Sequence, residues 1–121
     1  MSLTTRGESV DTANPIYKKR GEDINFNFTF AASDSISWAG LKLRGMLVNS
    51  NDVQIWDSGE VSGTVAGDGS ASETITLPDA TTKTLVEGTY YVDFAYWSDT
   101  VGINKTKTYL LKIADGPTNL P

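Results

Sequence analysis

Gly88-Thr89-Tyr90-Tyr91-Val92-Asp93-Phe94-Ala95-Tyr96-Trp97 is the stretch on which the fold turns. Successive side chains of a strand point to opposite faces, so Tyr90, Val92, Phe94 and Tyr96 share one side and Tyr91, Asp93, Ala95 and Trp97 the other. Aromatic and β-branched residues suit a pleated, half-buried surface. The spacing predicts a long strand with the first set turned into a core and the second turned out.

Working outward, the same alternation recurs. Ile24, Phe26, Phe28 and Phe30 alternate with Asn25, Asn27 and Thr29, which gives a strand with an aromatic inner face and a polar outer one. Leu41, Leu43 and Leu47 share another such face, and Gly45 among them signals a bulge or a close backbone approach. Asn49-Ser50-Asn51-Asp52 supplies turn chemistry before Val53-Gln54-Ile55-Trp56, so this pair reads as a hairpin. Gly67-Asp68-Gly69-Ser70 turns the chain into a strand over 71–77. Pro78 cannot donate to a ladder and ends it. Residues 79–87 read as a short crossover with one helical turn, Asp99 to Asn104 as a turn, and Lys105 to Ala114 as the last strand. The sum is an all-β, immunoglobulin-like β-sandwich of about seven antiparallel strands. The expected organisation is an amino-terminal arm over 1–22, the sandwich over 23–114 and a short tail over 115–121.

Composition narrows the function. The 121 residues suffice for one domain with its own core. The chain has neither cysteine nor histidine. That removes disulfides, thiolate nucleophiles, imidazole bases and the usual transition-metal sites. Net charge is −5, which argues against nucleic acid, because phosphate neutralisation needs clustered cations. Met1-Ser2-Leu3-Thr4-Thr5-Arg6 carries no apolar leader stretch and no run reaches membrane-spanning length, so assembly in a cytoplasm and no membrane partner are expected.

Two carboxylates could still cleave a glycosidic bond. Asp93 is the candidate that stands out, lying among Tyr91, Tyr96 and Trp97, although an outward Asp on an amphipathic strand is ordinarily a solvated one. Asp57, Glu60, Asp68, Asp79 and Asp99 sit in turn-like contexts that favour acidic residues for local backbone bonding. No catalytic residue, cofactor or metal is therefore expected. Trp38, Trp56 and Trp97 with Tyr90, Tyr91 and Tyr96 could form a sugar-stacking platform, or could serve core and protein contacts. By parity, Tyr91 and Trp97 are the expected exposed aromatics. The remaining candidates for partner contact are the apolar anchors Val10, Ile16, Tyr17 and Leu120 and the basic run Lys18-Lys19-Arg20, which fits either a solvated face or an acidic partner.

Two resemblances add to this reading. Val86-Glu87-Gly88-Thr89-Tyr90-Tyr91-Val92 resembles the entry to the sixth strand of immunoglobulin-like domains. There a tyrosine hydroxyl bonds back to the preceding loop. Tyr90 takes that place, while Val92 stands where antibody domains carry cysteine. More broadly, three segments in this order resemble small immunoglobulin-like structural proteins of tailed bacteriophages. They are Arg20-Gly21-Glu22-Asp23 with its aromatic strand, Trp38-Ala39-Gly40-Leu41-Lys42-Leu43-Arg44, and Thr81-Thr82-Lys83-Thr84-Leu85-Val86-Glu87-Gly88-Thr89-Tyr90. The resemblance implies a non-enzymatic virion component: a capsid decoration (cement) protein on the outside of the head. A baseplate, neck or tail accessory domain is the alternative. The implied partners are capsid or other virion proteins, with self-association possible; a carbohydrate-binding module is the reading from a different class.

Overall fold

The structure is a computed structural model and describes residues 10–116. Ten strands and one helical turn follow in chain order: β1 (Val10–Lys19), β2 (Ile24–Phe30), β3 (Lys42–Asn49), β4 (Gln54–Asp57), β5 (Val61–Ser62), β6 (Thr64–Val65), β7 (Ala71–Leu77), α1 (Asp79–Thr82), β8 (Gly88–Trp97), β9 (Asn104–Lys105) and β10 (Thr108–Ala114). They build a larger sheet in the order β1-β10-β8-β3-β4, with β5 on β3 and β9 on β8, and a smaller sheet in the order β2-β7-β6. The fold is an all-β, immunoglobulin-like sandwich, with strands distributed between the two sheets as that topology distributes them.

The core lies between the sheets because each contributes its inward parity. Leu43, Leu47, Tyr90, Val92, Phe94, Leu111 and Ile113 from the larger sheet meet Ile24, Ala71, Ile75 and Leu77 from the smaller, all buried. The Phe94 ring bridges the layers, its centroid 4.9 Å from Phe26 and 4.8 Å from Phe28. Gly45 makes this possible. A Cβ placed there would lie 2.6 Å from the Phe94 ring, so the glycine in the middle of β3 is the space the aromatic bridge occupies. No bulge is needed: β3 pairs with β8 in unbroken register from Lys42↔Trp97 to Asn49↔Tyr90.

The crossover after β7 contains the expected helical turn, and the Tyr90 hydroxyl donates to the Val86 carbonyl at 2.7 Å. This bond ties the loop to the base of β8, as the likeness at Gly88 and Tyr90 implies. Burial pushes the Tyr90 hydroxyl above the ordinary tyrosine pKa.

The amino-terminal region differs from the expectation. From Val10 on, the anticipated arm is an edge strand of the larger sheet, and it pairs with β10 in parallel rather than antiparallel fashion. Its register breaks between Asp11 and Ile16, across Asn14-Pro15. A proline cannot donate to the ladder, so the alternation that marks other strands is interrupted here.

Candidate functional site

Five rows of side chains run across the outward face of the larger sheet, each fixed by strand register. Tyr17, Lys112 and Thr89 form the first. Leu110, Tyr91, Val48 and Gln54 form the second. Asp93, Met46 and Asp57 make the third, and Lys105, Ala95 and Arg44 the fourth. Trp97, Lys42 and Ser62 close the face. The first row joins an aromatic to a lysine and the second is mostly apolar; the third carries two carboxylates, the fourth two cations and the last one lysine beside Trp97.

At the first row, β1 and β10 end side by side and border a shallow, open hollow of about 560 Å³ lined by Tyr17, Lys18, Lys19, Glu22, Lys112, Ile113 and Ala114. Tyr17 is 68% exposed, and the Lys112 ammonium lies 6.0 Å from its ring centroid, within cation–π range. Three of the candidate contact residues, Tyr17, Lys18 and Lys19, are thus brought together. Lys112 joins them from the far end of the chain. Sequence reasoning missed it because only the parallel pairing of β1 with β10 places it there.

The other candidates divide. Ile16 points the opposite way from Tyr17 and packs against the core, so it holds β1 in place. Arg20 is engaged within the fold: its Nε donates to Asp115 Oδ1 at 2.9 Å and its Nη1 to the Lys83 carbonyl at 3.3 Å. It ties the β1–β2 turn to the end of β10 and to the crossover. Val10 opens β1 opposite Thr108. Leu120 lies outside the described residues.

The aromatics sort by face as their parity requires. Trp38 is buried, donates from Nε1 to the Ala31 carbonyl at 3.0 Å and stacks near Phe30. Tyr90 is buried, and Trp56 and Tyr96 pack against the core, so none of these four serves a surface platform. Tyr91 and Trp97 share the outward face but are half-buried. Six residues along one strand separate them by about 20 Å, too far for one sugar ring to stack on both.

Asp93 departs from the expectation of a solvated residue: it is 7% exposed although it points outward. It lines a shallow hollow of about 290 Å³ together with Arg44, Met46, Ala95 and Lys105. Alongside, Arg44 grips Asp57 through both carboxylate oxygens, its Nε donating to Oδ1 at 2.9 Å. The Gly59 amide donates to the same Oδ1 at 2.8 Å. The Arg44 bond and then the Gly59 bond hold the Asp57 carboxyl below the ordinary aspartate value. Bonds from the Ser70 hydroxyl and amide lower Asp68 likewise. Among the described residues no group of three or more acidic side chains is placed to hold a metal ion.

Comparison with known proteins assigns no family. No family model and no curated protein matches the chain. Among solved structures, a candidate glycoside hydrolase from Bacteroides vulgatus ATCC 8482 is similar over 82% of this chain and 16% of its own, at 13% identity and a TM-score of 0.41.

Proposed function

We propose that the protein is a non-enzymatic structural component of a tailed-phage virion. In this reading it decorates the outside of the head and attaches by the outward face of its larger sheet. The observation that carries the attachment is the continuity of that face. Exposed Tyr17 stands beside Lys112, Lys19 shares its side of β1, and the Leu110–Tyr91 row adjoins it. Aromatic side chains on a rigid surface supply contact area at low entropic cost and are enriched where proteins meet. Lys19 and Lys112 beside Tyr17 outnumber the single acidic residue of the hollow, Glu22, a locally basic spot on a chain of net charge −5 that orients the molecule toward an acidic partner surface. The virion assignment itself rests on the sequence likeness to small phage proteins.

A glycosidase general acid needs a carboxyl group raised toward neutrality, whereas Asp57 and Asp68 are both lowered. Quantitative mass spectrometry of purified particles tests the assignment. A decoration protein is present at the stoichiometry of the repeating units of the shell. Only a few copies per particle would move the protein to the baseplate, neck or tail, and absence from particles would remove it from the virion.

A further inference from the structure

The edges of the two sheets are not equally protected. An exposed strand edge offers unpaired N–H and C=O groups to any passing strand, and natural sheets blunt it with proline, bulges, charges or brevity. The β1 edge carries Pro15, a register break and Lys18-Lys19. At the other end of the larger sheet, β4 has 4 residues and a register shift against β3. In the smaller sheet, β6 has 2 residues. The β2 edge has none of these devices. Its 7 residues, Ile-Asn-Phe-Asn-Phe-Thr-Phe, pair with β7 without interruption from Ile24↔Leu77 to Phe30↔Ala71, and no other described strand pairs with it.

The sandwich is also open along this edge. Phe26, Phe28 and Phe30 lie on the core side of β2 yet stay half-buried, while Ile75 and Leu77 beside them on β7 are buried. A cavity of about 250 Å³ runs into the gap between the sheets, lined by Ile16, Phe26, Phe28, Phe94 and Tyr109 with Asn25 and Asn27 at its rim.

We propose that the β2 edge is a self-association surface, where β2 of a second copy pairs antiparallel to it about a two-fold axis at Asn27. The strand is self-complementary in that register. Phe26 meets Phe28 of the second copy, Ile24 meets its Phe30, and Asn25 meets its Thr29, so apolar residues face apolar ones and polar face polar. Cross-strand aromatic pairs of this kind stabilise a sheet. Each copy carries net charge −5, so association needs an uncharged meeting line, and β2 has no ionisable side chain. The two small sheets would join as β6-β7-β2 with its two-fold mate, closing both Phe-lined cavities. A two-fold contact uses the same patch on both copies, as this one does.

Asn27 gives the test, because it points outward, accepts from Thr74 Oγ1 at 2.7 Å, and would face its own counterpart across the axis. Sedimentation equilibrium of the full chain at increasing micromolar concentration should show a monomer–dimer equilibrium. Asn27→Lys and Asn27→Asp should each weaken it by about tenfold or more, since like charges would stand directly opposite. An equimolar mixture of the two variants should restore dimers. Hydrogen exchange on the wild type provides a readout that needs no variant: the amides of 24–30 that do not already bond to β7 should gain protection as concentration rises. The proposal is overturned if the wild type stays monomeric and the protection of these amides does not change with concentration. It is also overturned if dimers form but neither charge variant weakens them, or if the β2 amides become protected only when a different protein is added.

Discussion

Tyr90 shows how much a single side chain secures. Its ring is in the core and its hydroxyl closes the crossover by donating to the Val86 carbonyl. Tyr90→Phe keeps the ring and removes the bond, so it should cost about 0.5–1.5 kcal/mol. The urea midpoint should fall with an unchanged slope; an unaltered midpoint would mean that the bond contributes nothing to the fold. Asp57 carries the pH dependence on the outward face. Its carboxyl is depressed in the folded chain by Arg44 and Gly59. The stabilisation is therefore fully present above the unfolded aspartate pKa of about 3.9 and is lost as pH falls through the lower folded value. Asp57→Asn should be less stable than the wild type at neutral pH, with the difference closing as the solution is acidified below that range. A constant difference at all pH values would point to packing instead. Asp93 illustrates a limit of parity. Alternation gave its outward direction correctly, but its neighbours Arg44, Met46 and Lys105 come from other strands, so its burial could not be read locally.

At the scale of elements, strands that alternate and end in turn residues were legible. β2, β7 and β8 stand where Ile24–Phe30, residues 71–77 and Gly88–Trp97 predict them, and Pro78 leads into a helical turn. Gly45 was legible as a close approach, although its partner Phe94 was not. β1 was not legible for two physical reasons. Asn14-Pro15 breaks its period, and its mate β10 lies at the other end of the chain in parallel orientation, so no hairpin turn announces the pairing. The same pairing explains the candidate site. Tyr17, Lys18 and Lys19 could be picked from the sequence as contact residues, but Lys112 could not be joined to them, and Arg20 could not be seen to face Asp115. The short strands β5, β6 and β9 owe their existence to neighbours and have no local period to read.

As a whole molecule the sandwich has two contrasting faces. The smaller sheet presents Asn25, Asn27, Thr74 and Thr76, joined by Thr-to-Asn hydrogen bonds of 2.7 Å. This is an uncharged polar surface. The larger sheet presents aromatics among charged side chains of both signs. A molecule placed on an assembly by its larger sheet would leave the smaller one to solvent, and the β2 edge, lying between the faces, would remain free to meet a second copy. The central claim is attachment through the Tyr17–Lys112 face, and co-sedimentation with purified, protein-stripped phage heads measures it most directly. Tyr17→Ala combined with Lys112→Glu should lower bound protein by about tenfold, the scale of losing a contact worth near 1.4 kcal/mol, while Thr74→Lys on the opposite face binds as the wild type does. Equal binding by all three proteins, or loss only with Thr74→Lys, would contradict the account.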